Sequence, residues 1–192
     1  MTSPKAQLRV QLLTARRKVT EAVHLAEAKA LAVHAATLAN CTDTVCAYVP
    51  VGSEPGSPAM LDAIAQTGAR VLLPVARTAA DGSALPLCWG EYVAGELAGA
   101  QFGLLEPTGA ILPAETLAAA GVVIIPALAV DRRGVRLGRG AGFYDRSLPL
   151  CRPDARLVAV VRDDELLDVI PEQAHDIRMT DALTPAGGLV SF

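Results

Sequence analysis

The sequence predicts an α/β fold, a mostly parallel sheet covered on both faces and preceded by an N-terminal helical segment. Three observations lead there. The first forty residues place apolar side chains at helical spacing. Short apolar runs rich in β-formers then alternate with helical stretches, the rhythm of βαβ units. The run at 122–125, Val-Val-Ile-Ile, is apolar on both faces, as a central parallel strand requires.

In chain order, Ser3-Pro4 opens a helix, with serine as N-cap and proline at the first helical position. Leu8, Leu12 and Ala15 recur at its period. Thr20-Glu21 restarts a helix whose Val23, Ala26, Ala30 and Val33 share a face, and Asn40 can end it. A strand over 45–49 stops at Pro50. The loop 52–58, rich in Gly, Ser and Pro, leads into a helix over 59–67 closed by Gly68. Strands follow at 70–74 and 85–92, with the turn Asp81-Gly82 between them, then at 122–125 and 157–161. Residues 131–142 read as a glycine- and arginine-rich loop directly after the central strand, and a helix begins near Phe143. No repeat or linker divides the chain, so 1–192 reads as one domain.

Composition narrows the function. The 192 residues are 52% apolar and 19% charged, enough to bury a sizeable core and too apolar for a disordered chain. A net charge of -3 argues against a nucleic-acid partner that needs a broadly basic surface. The start, 1–17, is polar and basic without the apolar run of a secretory signal. The longest uncharged stretch, 116–130, contains Gly121 and Pro126 and falls short of the roughly 20 residues that span a bilayer. Cys41, Cys46, Cys88 and Cys151 form no CxxC pair, and His24, His34 and His175 are not spaced to complete a zinc site. We expect ordinary thiols in a reducing cytoplasm, no membrane partner, and a monomer.

The chemistry is concentrated after the central strand, where Gly134, Gly138, Gly140 and Gly142 are interleaved with Arg136 and Arg139 and followed by Arg146. In open α/β sheets, ligands bind beyond the carboxyl ends of the strands. Glycines let backbone N–H groups converge on an anion, and a helix N-terminus adds favourable partial charge. Arginines beside such a loop match phosphate geometry. No Gly-Lys-Ser/Thr follows, so this is not a Walker A loop, and it lacks the context of a dinucleotide fingerprint. Taken alone, the loop fits a phosphate cradle or a turn built for tight packing.

The longer string is more specific. Pro126-Ala-Leu-Ala-x-Asp131-x-x-Gly134-x-Arg136-Leu137-Gly138-x-Gly140-x-Gly142-Phe-Tyr144-Asp145-Arg146 resembles the signature of the 5-formyltetrahydrofolate cyclo-ligase family. Lys5-x-x-Leu8-Arg9, Tyr48-Val-Pro50 with Glu54, Leu72-Leu-Pro74, Trp89, Phe102-Gly-Leu-Leu-Glu106-Pro107, Ile170-Pro171, His175-Asp176 and Leu183-Thr-Pro185 extend the resemblance, in order, along nearly the whole chain.

The resemblance implies a three-layer α/β/α sandwich that uses ATP and Mg2+ to close 5-formyltetrahydrofolate into 5,10-methenyltetrahydrofolate, releasing ADP and phosphate. It implies nucleotide contacts at Lys5, Arg9 and the loop from Arg136 through Leu137, Gly138, Arg139, Gly140, Ala141, Gly142 and Phe143 to Tyr144. Catalytic roles fall to Arg136, Tyr144 and Arg146, and metal ligation to Asp145 and Asp176. Reduced folate would meet Glu54, Trp89 and Tyr144. Bland alternatives stand beside these: Lys5 and Arg9 as solvated charges, Asp145 as a helix-start acid, Asp176 and His175 as loop residues, Glu54 as a turn residue, Trp89 and Tyr144 as packing. Some relatives carry a lysine where this chain has Ala141, so any charge that lysine supplies must come from Arg139 or Arg146. A non-catalytic relative of the fold, or another ATP- or phosphate-ester-using α/β enzyme, are the competing readings.

Overall fold

Two capped helices open the chain. In the computed structural model, which describes residues 3–173 and 176–192, α1 spans Pro4–Arg16 and α2 spans Glu21–Ala39. Ser3 Oγ accepts the Ala6 N–H at 3.3 Å and Thr20 Oγ1 accepts the Val23 N–H at 3.4 Å, so both expected N-caps form. The chain then builds β1 (Thr44–Cys46), α3 (Pro58–Ala65), β2 (Arg70–Val75), β3 (Cys88–Glu91), β4 (Leu97–Gly99), β5 (Leu105–Pro107) and β6 (Ile111–Leu112). It continues with β7 (Val122–Pro126), β8 (Ala129–Asp131), β9 (Arg136–Leu137), α4 (Phe143–Ser147), β10 (Arg156–Val160), β11 (Leu166–Leu167), β12 (Asp181–Thr184) and β13 (Gly188–Ser191).

Among the described residues, eight strands form the main sheet in the order β13-β12-β10-β7-β1-β2-β3-β6. The five from β12 to β2 run parallel, and the pairings outside them are antiparallel. The alternation of β7 shows why this sheet needs two covers. Val122 and Ile124 pack with Leu31, Leu38, Met60 and Ile64 from α2 and α3. Val123 and Ile125 face the other way, onto Leu117, Leu148 and Met179. That second cover is made of short helical turns, Ala114–Ala119 and Leu148–Leu150, together with α4.

The segment expected to be one loop at 131–142 is partly ordered. β8 and β9 form a hairpin that joins β11 in a three-stranded sheet, order β11-β8-β9. Buried Asp131 is its staple: its carboxylate accepts the N–H groups of Arg133, Val135 and Ile170 and pairs with the Arg133 guanidinium at 2.7 Å. Burial alone would push that carboxyl up, but these donors hold it below the usual range. α1 lays Leu8, Leu12 and Leu13 on this small sheet, against Leu128, Val135, Leu137 and Ile170. The N-terminal helix is thereby fixed beside the glycine loop that β9 feeds.

The remaining expectations differ in extent. The strand expected at 45–49 pairs only over Thr44–Cys46, and that expected at 85–92 only over Cys88–Glu91. The hairpin of β12 and β13 was not anticipated. Among the described residues no helix is long and apolar enough to cross a membrane. His175 lies outside the described residues.

Candidate active site

A cavity of about 360 Å³ opens where the parallel strands end. Tyr48 and Val49 follow β1, Pro74 and Ala76 come from the end of β2, and Pro126 and Ala127 from the end of β7. This is the crevice at which open α/β sheets hold ligands. The glycine loop from Gly138 to Gly142 forms the opposite wall, and Phe102 stands at its rim.

The loop's shape depends on its glycines. Gly140 has φ +101° and Gly142 has φ +80°, left-handed conformations that side chains rarely adopt. Gly142 serves as the residue before α4, so the loop runs straight into a helix N-terminus. Arg9 reaches the loop from α1. Its Nε donates to the Gly138 carbonyl at 2.9 Å, and its guanidinium lies 3.7 Å from where a Cβ on Gly140 would stand. Lys5, one turn earlier, is buried and pairs with Asp176 Oδ2 at 2.6 Å. Lys5 and Arg9 therefore occupy one face, as their spacing predicts, but neither is a solvated charge.

Arg136 Nη2 donates to Asp145 Oδ1 at 2.6 Å, and the guanidinium carbon lies 5.5 Å from the centroid of the Tyr144 ring. Arg136 Nε and the Tyr144 hydroxyl are buried and make no hydrogen bond to a described residue. Burial pushes the Tyr144 phenol well above its ordinary value, so it stays protonated and able to donate. Arg139 is half-exposed and meets Glu54 at 3.2 Å. Burial also pushes the Glu54 carboxyl up, opposed by the Val51 N–H and the charges of Arg139 and Arg16. Tyr48 closes the loop around Glu54 by donating to the Pro55 carbonyl at 2.9 Å.

The structure thus brings Glu54, Arg136, Tyr144, Asp145 and residues 138–143 to one cavity. Six expected site residues do not line it: Lys5, Arg9, Leu137, Asp176, Trp89 and Arg146, although Arg9 touches the loop from α1. Trp89 is 1% exposed, because the alternation of β3 turns it onto Leu72 and Leu117 in the core rather than into the cavity. Arg146 is exposed and folds back onto the Gly142 carbonyl at 3.2 Å, capping the short α4 from outside. Glu106, within the quoted Phe-Gly-Leu-Leu-Glu-Pro string, is structural: it accepts the Ala76 N–H at 2.8 Å and pairs with Arg77.

Sequence reading missed Arg16 and Tyr48 as wall residues, and missed the backbone of Phe102. Phe102 has φ +61°, the only positive value outside glycine among the described residues, and its ring sits edge-on to Phe143 at 5.9 Å. No sequence signal marks that strain. Asp145, at the end of the glycine loop, and Asp176, paired with Lys5 on α1, offer hard oxygen donors. Among the described residues no group of three or more His, Cys, Asp or Glu is assembled for a metal ion.

The comparisons with known proteins agree with one another. The sequence model of the 5-formyltetrahydrofolate cyclo-ligase family matches residues 1–185. A 5-formyltetrahydrofolate cyclo-ligase of Mycolicibacterium smegmatis is 58% identical over 188 residues, 98% of this chain and 97% of that protein. One from Escherichia coli K12 is 28% identical over 144 residues, 74% and 78% of the two chains. Among solved structures, the 5,10-methenyltetrahydrofolate synthetase of Aquifex aeolicus aligns with a TM-score of 0.72 at 21% identity, covering 98% of this chain and 93% of that one. That of Mycoplasma pneumoniae aligns at 0.69 and 15% identity, covering 92% and 96%.

Proposed function

The chain belongs to the 5-formyltetrahydrofolate cyclo-ligase family, and from that premise we propose how its cavity performs the ATP-dependent closure of 5-formyltetrahydrofolate to 5,10-methenyltetrahydrofolate. The chain is an enzyme, a cyclo-ligase that consumes ATP. The observation that best supports the site assignment is the Glu54–Arg139 pair, which joins the acid expected to hold the folate to an arginine of the glycine loop.

The reaction explains the residue types. A formamide oxygen leaves poorly, so it must first receive the γ-phosphoryl group. N10 of the folate then attacks the activated carbon, and phosphate departs. Phosphoryl transfer needs positioning and charge neutralisation more than a covalent catalyst. The backbone of residues 138–142 and the N-terminus of α4 would receive the phosphates, with Arg9, Arg136 and Arg139 supplying fixed charge. Ala141 brings no cation, and Arg139 rather than the outward-folded Arg146 occupies the side of the loop that faces Glu54. Glu54 would accept the pterin's amino and ring N–H donors. The protonated Tyr144 hydroxyl, buried with no hydrogen-bond partner among the described residues, would be able to donate to an oxygen in the cavity.

The donor set also fits magnesium, which takes one or two carboxylates and fills its remaining positions with phosphate oxygens and water. Asp145 lines the cavity at the exit of the loop, and Asp176 pairs with Lys5 on the adjoining helix. Bound there, the ion would neutralise phosphate charge. We further place the enzyme in the cytoplasm as a monomeric single domain, in keeping with four cysteines that form no disulfide.

A coupled assay for phosphate release tests the proposal. Release from ATP that depends on 5-formyltetrahydrofolate supports it. Folate-independent release would favour another ATP-using enzyme, and no release from protein that binds ATP would favour a non-catalytic relative.

A further inference from the structure

We propose that Arg139 couples the two substrates: with no nucleotide bound it closes over Glu54, and on ATP binding it leaves Glu54 for the phosphates, so that each substrate strengthens the binding of the other. The proposal rests on the reading of Glu54 as the folate-holding acid and of residues 138–142 as the phosphate loop.

The two oxygens of Glu54 are used differently. Oε2 accepts the Val51 N–H at 3.0 Å, a bond within the turn that fixes the carboxylate. Oε1 lies 3.2 Å from Arg139 Nε and accepts no hydrogen bond from a described residue. The Glu54 side chain is 9% exposed, and it lines the cavity together with Arg139. Oε1 is therefore the atom left to accept a pterin N–H, and the guanidinium stands against it.

The three arginines assigned to the phosphates are also held differently. Arg9 Nε is bonded to the Gly138 carbonyl at 2.9 Å, and Arg136, 7% exposed, is bonded to Asp145 at 2.6 Å. Arg139 is half-exposed, and among the described residues Glu54 is its one ion-pair partner. The contact is a single approach with no hydrogen bond beside it. The buried Arg16–Glu165 pair shows the contrast, a fork closed at 2.6 and 2.7 Å that fixes α1 to the turn after β10. Arg16 is built as a tether, whereas Arg139 is built to change partners.

The backbone lets that side chain move by itself. Arg9 anchors the carbonyl of Gly138 on one side of Arg139, and Gly140 is set at φ +101° on the other. The frame of the loop stays in place while a half-exposed side chain changes rotamer, a fast and local motion.

Direction and size follow from the charges. Without ATP, folate has to displace the guanidinium from Oε1. With phosphates in the loop, Arg139 gains a more highly charged partner, and the pterin's N–H donors complete the enclosed carboxylate it leaves behind. Coupling between two sites is reciprocal, so folate favours ATP by the same factor. A half-exposed ion pair contributes modestly, which places that factor at about five.

The test is calorimetric titration of 5-formyltetrahydrofolate with and without a saturating non-hydrolysable ATP analogue and magnesium, so that no turnover occurs. In the wild-type protein the analogue is expected to tighten folate binding about fivefold. Arg139→Gln is expected to bind folate about fivefold tighter than wild type without nucleotide, and to gain nothing from the analogue. A direct contact to folate, or a merely structural role, would instead lower the nucleotide-free affinity, and that result overturns the proposal. Tightening that survives in Arg139→Gln overturns it too, as does its absence in the wild type. Glu54→Gln probes the same contact from the other side: without folate it should bind the analogue about fivefold tighter, and an unchanged affinity counts against the proposal. The two underlying readings fail separately. Undiminished folate binding in Glu54→Gln removes Glu54 from the folate site, and undiminished analogue binding in Gly138→Val removes the loop from the phosphates, whatever Arg139 does.

Discussion

At the scale of single residues, Glu54 shows a conflict between stability and function. It is 7% exposed, and burial raises its carboxyl above the ordinary value. A carboxyl raised on folding adds stability below its unfolded pKa, and that contribution is lost as pH rises through the folded pKa. At neutral pH its charge is thus a cost, only lightly offset by the half-exposed Arg139. Glu54→Gln is therefore expected to melt at or above the wild-type temperature while losing at least tenfold in folate affinity, a pairing that thermal melts and calorimetry check. Asp145→Asn tests the other carboxylate. Its partner Arg136 is buried, but Asp145 is about one-third exposed, so the amide keeps the shape and much of the contact. The melting temperature should fall by a few degrees at most and turnover by at least tenfold, with weaker dependence on magnesium. A large loss of stability with normal specific activity would make Asp145 structural. These acids were legible because they flank a motif. Arg16 was not: a lone arginine at a helix end looks like a cation answering the helix dipole, and only the fold puts Glu165 beside it. Trp89 was legible as a strand aromatic for which pocket and core stood as equal alternatives, and the choice fell to the core because which face of β3 turns inward depends on register.

At the scale of elements, the glycine loop carries the clearest expectation. Gly138 lies outside the left-handed region, and a Cβ there would meet only the Arg136 guanidinium, at 3.6 Å. Gly138→Val thus places a side chain in the cavity wall without backbone strain at that position, and ATP affinity should fall at least tenfold. Val33→Ala, on the 64%-exposed outer face of α2, should leave it unchanged. Wild-type affinity in folded Gly138→Val would dissociate this loop from the phosphates. The two N-terminal helices were readable because their caps are local chemistry: serine and threonine side chains bonded within their own first turns. β7 was readable because burial on both faces leaves a continuous apolar run. The small sheet was not, since β8, β9 and β11 are two or three residues each and owe their pairing to Asp131, whose acceptors bind residues up to 39 positions away. The C-terminal hairpin escaped for a similar reason: β12 and β13 pair over four residues each around a Pro185-Ala186-Gly187 turn, too short to show a period.

At the scale of the molecule, the parallel strands β1, β2 and β7 end at one cavity, and the two substrates' proposed holders meet there. α1, resting on the small sheet, carries Arg9 to the loop and Arg16 to the inner wall, while the turn after β1 carries Glu54. That convergence predicts selectivity for the position of the formyl group. In the N5 isomer the formyl oxygen can be phosphorylated and N10 is free to attack the activated carbon. In the N10 isomer electrophile and nucleophile exchange places, and a misplacement of about 1 Å can cost on the order of 100-fold in rate. The measurement that tests the account most directly is formation of 5,10-methenyltetrahydrofolate, followed by absorbance with each formyl isomer at fixed ATP and magnesium. The account predicts ATP-dependent product from 5-formyltetrahydrofolate and at least about 100-fold less from the 10-formyl isomer. Equal rates with both isomers would contradict the proposed geometry, and no product from either in protein that binds ATP would contradict the catalytic reading itself.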